Sequence, residues 1–169
     1  MIWYALLVGA VALERLFEIR VAERNRAVSK THGGVEFGGG HYPAMVVLHS
    51  SLLIGCLVEP IMLHRNFIPG LGWPMFAVVL AAQALRWWCI TTLDYQWNTR
   101  VIVIPGAGRV TGGPYRLIPH PNYVAVITEG MALPLVHTAW LTALVFSLLN
   151  AWLLSTRVKV ENAALASLT

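Results

Sequence analysis

PAMVVLHSSLLIGCLVEPIML, residues 43–63, is the stretch whose reading decides the fold. It is about 20 residues of nearly continuous apolar side chains. At a 1.5 Å rise per residue, a helix of that length crosses the roughly 30 Å hydrocarbon core of a bilayer. A second stretch of the same kind, about residues 73–93, lies just downstream. The link between them, His64 to Gly72, is short and contains Pro69 and Gly70, so it predicts an antiparallel pair of spans.

Upstream, an apolar segment from Ile2 to Ile19 ends amphipathically, with Glu14 and Glu18 one turn apart and Arg15 between them. Arg20, Glu23, Arg24, Arg26 and Lys30 follow as a basic cluster, and the glycine-rich stretch from Thr31 to Tyr42 reads as a loop. Downstream, Asp94 to Asn122 is polar and irregular. It holds a short alternating or helical piece at Trp97 to Ile104, broken by Pro105-Gly106-Ala107-Gly108. The last apolar run, Tyr123 to Ser155, is too long for one span, and Pro134 and His137-Thr138 sit near its middle. It reads as a helical hairpin, about Asn122–Val136 and Ala139–Ser155, whose first arm is short for a full crossing.

Composition agrees. The chain of 169 residues is 57% hydrophobic and 12% charged, against about 25% charged in a soluble domain. That leaves no room for a separate soluble catalytic domain. The net charge of +4 sits mostly beside apolar segments, which suits the cytoplasmic face of a membrane rather than nucleic acid. The Arg20–Lys30 cluster, Arg100, Arg109, Arg116, Arg157 and Lys159 share one side if there are five spans with the N-terminus outside; Arg65 alone falls opposite. The first apolar run begins at Met1 without a basic leader and is expected to remain as a membrane helix. Cys56 and Cys89 lie inside apolar runs without metal-ligand spacing, so buried packing is expected and no metal site. The expectation is an all-α integral membrane protein of about five transmembrane helices, one domain over 1–169. Residues 1–93 supply three N-terminal spans, and 94–169 the hinge, hairpin and C-terminal motif.

The chemistry concentrates in the second half. Glu129 lies about 9 Å along a helix from Tyr123. A carboxylate at that depth requires a polar cavity or a partner, either a site ligand or a structural pair with an arginine or with Thr91 or Thr92. Pro119 and Pro121 flank His120 and remove backbone donors, fixing an extended approach to a helix that Asn122 can cap. Such a helix start offers free N–H groups to an electron-rich ligand group. Arg157 and Glu161, four residues apart, share one face of a continuing helix. His49 reads as a hydrogen-bonded interior histidine. Gly106-Ala107-Gly108 lacks the βαβ context of a dinucleotide site.

Taken together, Gly113-Pro114-Tyr115-Arg116, His120-Pro121-Asn122-Tyr123, Glu129 and Arg157-Val158-Lys159-Val160-Glu161 resemble the isoprenylcysteine carboxyl methyltransferase family. Trp97-Asn98-Thr99-Arg100-Val101 and Pro105-Gly106 are similar to its bacterial branch. The resemblance covers roughly Leu85 to Leu165. It implies an integral membrane enzyme of the bacterial inner (plasma) membrane using S-adenosylmethionine in a cytoplasm-facing pocket. His120, Pro121 and Tyr123 would border the cofactor together with Tyr115 and Arg116, and Glu161 would hold its amino group. Glu129 and Arg157 would be the catalytic pair, Glu129 supporting the pocket and Arg157 facing the acceptor's negative oxygen. The chain departs from the family pattern at Pro119, commonly arginine, and at Glu161-Asn162, commonly an acidic pair. Both departures bear on the acceptor more than on the cofactor. The acceptor is expected to be lipophilic, a prenylated cysteine carboxylate or a long-chain alkylpyrone hydroxyl, with the branch resemblance favouring the alkylpyrone. The competing readings are an NADPH-dependent lipid or sterol-type reductase and a non-enzymatic membrane partner protein.

Overall fold

The computed structural model describes residues 1–168 and is built from five α-helices: α1 (Ile2–Thr31), α2 (Tyr42–Met62), α3 (Pro69–Leu93), α4 (Pro121–Leu135) and α5 (Trp140–Leu168). Proline opens α3 and α4 and is the second residue of α2. In the first turn its missing N–H is one that would have no intrahelical partner. This places the start of α3 four residues before the expected Trp73. α5 likewise runs past the expected Ser155 without a break, so Arg157 and Glu161 lie on the same helix as the hairpin's second arm.

Two expectations require correction. α1 does not stop near Ile19 but continues to Thr31, because Glu18, Ala22, Asn25 and Ser29 form a buried stripe at helical spacing along its C-terminal half. The segment read as a glycine-rich loop contains a strand, β1 (Val35–Phe37), which pairs antiparallel with β2 (Val101–Val103) in the register Val35↔Val103, Glu36↔Ile102, Phe37↔Val101. The fold is therefore mostly helical, as expected, with one small ribbon added. β-branched and aromatic residues favour that ribbon. Glu36 fastens it, accepting from Arg26 at 3.0 Å and from Arg100 at 2.7 Å. Those donors, the Arg100 hydrogen bond foremost, hold the Glu36 carboxyl below its ordinary range.

Among the described residues, three helical segments are long and apolar enough to cross a membrane: Gly39–Met62, Pro69–Gln96 and Trp140–Ala166. α4 has only 15 residues, and α1 carries Glu14, Arg15 and Glu18 in its middle. The core joins all five helices through Tyr4, Val8 and Val11 of α1, Cys56 of α2, Val79 of α3, Leu133 of α4 and Phe146 of α5. Tyr4 satisfies its hydroxyl there by donating to the Leu133 carbonyl at 3.0 Å. Both cysteines are free and buried. At the α4–α5 corner, the buried Glu59 of α2 accepts from the backbone N–H groups of Leu141 (3.1 Å) and Thr142 (2.7 Å). It thereby serves from a neighbouring helix as the cap that the first turn of α5 needs.

Candidate functional site

The site lies where the polar segment 94–120 meets the start of α4 and the C-terminal half of α5. Leu93, Trp97, Asn98, Arg100, Tyr115, His120, Asn122, Tyr123, Arg157 and Glu161 all contribute to the wall of one cavity, of about 170 Å³. β2 and the turn after it close one side.

Tyr123 is the centre of the arrangement. Its hydroxyl donates to Glu161 and accepts from Arg157 Nε at 3.0 Å. Arg157 and Glu161 therefore share a helix face, as their spacing requires, and meet through the Tyr123 phenol. The His120 ring stacks on the Tyr123 ring (centroids 5.3 Å apart, planes at 15°), and its Nδ1 sits 3.5 Å from Glu161. Arg157 is 93% shielded from solvent (7% exposed), and its guanidinium lies over the Tyr123 ring at 5.6 Å. It also donates from Nη1 to the Thr99 carbonyl at 2.7 Å and contacts Met45 Sδ at 3.1 Å. Burial raises the pKa of Tyr115, and the neighbouring Cys89 thiol adds to the shift.

Asn122 does not cap α4, contrary to expectation. His120 occupies the N-cap position and Pro121 is the first helical residue, so Asn122 is already inside the helix. Its Oδ1 is instead a buried acceptor in the cavity wall with no hydrogen-bond partner among the described residues. An orphaned acceptor of this kind costs about 1–3 kcal/mol unless a ligand or water meets it.

The remaining sequence candidates lie elsewhere. Pro121 is fully buried behind the cavity as the helix start, and Arg116 is exposed and outside the wall. Glu129 is buried two turns further along α4 and does not line the cavity. Its partners are arginines, not Thr91 or Thr92: Glu129 Oε2 accepts from Arg86 of α3 and from Arg15 of α1. Glu18 bonds Arg15 as well and lies 3.5 Å from Arg86 Nε. Glu14, next to it, accepts from Gln83 and from the Trp87 indole. Sequence reasoning missed Arg86 although it stands in the middle of an apolar run, which is the same signal that marked Glu129. The Thr99 carbonyl carries no sequence signal at all, since every residue has one.

The polar cavity adjoins an apolar one. A groove of about 730 Å³ runs between α2 and α5, bounded by Ala44, Leu48 and Val58 on one side and by Val145, Leu149 and Leu153 on the other. Leu153 is one turn before Arg157, and Ala44 is next to Met45, which Arg157 touches. The groove thus runs toward the part of α5 that carries Arg157, which lines the polar cavity.

The family model for "Isoprenylcysteine carboxyl methyltransferase (ICMT) family" matches residues 75–167, more than half of the chain. The chain is 36% identical over 166 residues to "Uncharacterized protein YpbQ" of Bacillus subtilis (strain 168), covering 98% of this chain and 96% of that one. It is 22% identical over 157 residues to an "Uncharacterized protein" of Haemophilus influenzae, covering 91% and 90%.

Proposed function

The chain belongs to the isoprenylcysteine carboxyl methyltransferase family, and from that premise we propose a membrane O-methyltransferase that uses S-adenosylmethionine and a lipophilic acceptor. The observation that carries the reading is that a small polar cavity lined by Arg157 lies one helical turn along α5 from the end of a long apolar groove at Leu153. A water-soluble cofactor and a lipid-borne acceptor need those two environments on either side of one reacting point. In this reading all five helices are membrane elements, and the cavity faces the cytoplasm with the basic segments.

The residues present fit the cofactor. Glu161 and the orphaned Asn122 Oδ1 are acceptors suited to its ammonium group. Arg100 and His120 are donors suited to its carboxylate, and the Tyr123 and His120 rings offer flat apolar faces. At 170 Å³ the cavity is below the 300–1,000 Å³ usual for such ligands, so binding requires the cover to move outward. The stretch from Gly106 to Gly113 is suited to that: both glycines hold left-handed backbone angles, φ 76° and 53°. When bound, the cofactor supplies an already activated methyl group, so alignment and exclusion of water matter more than acid–base groups.

Arg157 orients the acceptor oxygen by a charge-assisted hydrogen bond, while Tyr123 and Thr99 hold its side chain in place. The groove takes the acceptor's tail. Glu129 supports α4 from behind. We favour an enolic alkylpyrone hydroxyl over a prenylcysteine carboxylate as acceptor. Purified protein in nanodiscs, given labelled S-adenosylmethionine, is expected to methylate a long-chain 4-hydroxy-6-alkyl-2-pyrone. Transfer only to a farnesylated cysteine peptide overturns the choice of acceptor, and transfer to neither overturns the reading.

A further inference from the structure

α1 reaches well past the apolar part of the chain, and its C-terminal half grips the strap that forms the cavity wall. Ala22, Asn25 and Ser29 lie on one buried face of that half. The Asn25 amide donates both of its hydrogens, to the carbonyls of Asp94 and Trp97, each at 2.9 Å. Asn98 donates to the Ala22 carbonyl at 2.9 Å, and its Oδ1 accepts the Arg100 N–H at 3.0 Å. Ser29 adds a bond to the Tyr95 carbonyl at 3.3 Å. Asp94 ends α3 with φ +49°, an unfavourable angle for a side-chain-bearing residue, so this turn needs outside support. Thr99, the residue after Asn98 in this strap, offers Arg157 its carbonyl at 2.7 Å.

We infer that Asn25 is a positioning residue for Arg157, acting through the strap 94–99. The inference rests on the reading of Arg157 as the group that faces the acceptor. Arg157 spends Nε on Tyr123 and Nη1 on Thr99 and Met45, which leaves Nη2 as its free end among the described residues. The direction of that free end is fixed by the Thr99 carbonyl. That carbonyl is fixed in turn by bonds to a part of α1 lying far outside the family-matched residues 75–167. The strap is clamped on both sides of Thr99, by Asn25 before it and by the Asn98–Arg100 turn across it, so loss of the Asn25 amide frees the end that leads directly into it.

The test is a cycle of Asn25→Leu, Arg157→Lys and the double variant. Initial rates are measured in nanodiscs with S-adenosylmethionine and both the alkylpyrone and the farnesylated cysteine peptide. Asn25→Leu is expected to raise the acceptor KM about tenfold while keeping S-adenosylhomocysteine binding, since small misplacements of an orienting group cost that much or more. In the Arg157→Lys background the same substitution is expected to add little, because the two act through one geometry. Independently of any acceptor, the Arg157 Nε–H resonance of ¹⁵N-arginine-labelled protein, assigned by its loss in Arg157→Lys, is expected to shift in Asn25→Leu. An unshifted resonance, or equal KM penalties in both backgrounds, overturns the inference. Should the wild type methylate neither acceptor, the reading of the function fails and the resonance alone decides the brace. If Asn25→Leu does not fold in detergent, Asn25→Ser, which keeps one donor, takes its place with the same readouts.

Discussion

Glu129→Gln probes the charge cluster that joins α1, α3 and α4. Both arginines bond the same oxygen of Glu129, and Arg15 also bonds Glu18, 3.5 Å from Arg86. The two guanidiniums and two carboxylates cancel, and the Arg86 and Glu129 side chains are each only 6% exposed. Neutralising Glu129 leaves two buried guanidiniums facing one close carboxylate. Removing one member of a buried pair costs about 3–5 kcal/mol, because the uncompensated charge remains. Arg86→Met should cost a similar amount for the opposite reason, leaving Arg15 with two carboxylates. In the double variant Arg15 and Glu18 still neutralise each other, so its cost should fall short of the sum by about 1–3 kcal/mol. The assay is reversible unfolding in mixed micelles, followed by helix content, together with S-adenosylhomocysteine titration. Because Glu129 stands behind the cavity and not in its wall, stability should fall more than affinity. A single-variant cost below about 1 kcal/mol, or additive costs, would refute the claim that these charges hold the helices together.

Three further outcomes follow from particular contacts. Gly130→Ala would place a methyl carbon 2.0 Å from the Phe146 ring, so the buried ring or the helices that carry the two residues must shift; destabilisation of about 1–3 kcal/mol is expected by the same unfolding assay. Tyr123→Phe removes the hydroxyl that joins Arg157 to Glu161. It should weaken S-adenosylhomocysteine binding and acceptor use together, whereas an effect on neither would remove Tyr123 from the site. The Glu36 carboxyl is held below its ordinary value of 4.5, so the stability it contributes is present above that pH and lost as the pH falls through the lowered value. The amide-exchange protection factors of residues 35–37, which correct for the intrinsic pH dependence of exchange, should therefore fall on acidification in the wild type, and Glu36→Gln should show no such pH dependence.

The long apolar runs were legible because lipid imposes length and composition on a helix directly. That reasoning found α2, α3 and α5. It stopped α1 twelve residues early, since beyond Ile19 the buried face is made of Glu, Ala, Asn and Ser, whose burial depends on partners distant in sequence. The ribbon was only half legible: Trp97–Ile104 read as an alternating or helical piece, but two three-residue strands, 66 positions apart at Glu36 and Ile102, are specified by each other. At the site, residues with chemically distinctive side chains and close spacing were legible, and His120, Tyr123, Arg157 and Glu161 do meet in one cavity. Glu129 was marked correctly as a buried charge needing a partner. That its partners are Arg86 and Arg15, and that it stands behind the cavity, depends on how three helices pack. Asn122 was expected to serve the backbone as a cap, but with Pro121 as the first helical residue the cap falls two residues earlier, at His120, and the Asn122 side chain becomes a cavity acceptor.

The central claim is that the cavity around Tyr123 binds the methyl donor. Calorimetric titration of S-adenosylhomocysteine and of NADPH into the protein in nanodiscs tests it most directly, with Glu161→Gln as the paired variant. The account predicts saturable binding of S-adenosylhomocysteine, weakened in Glu161→Gln, and no binding of NADPH. Binding of NADPH alone, or S-adenosylhomocysteine binding that is indifferent to Glu161, would contradict it.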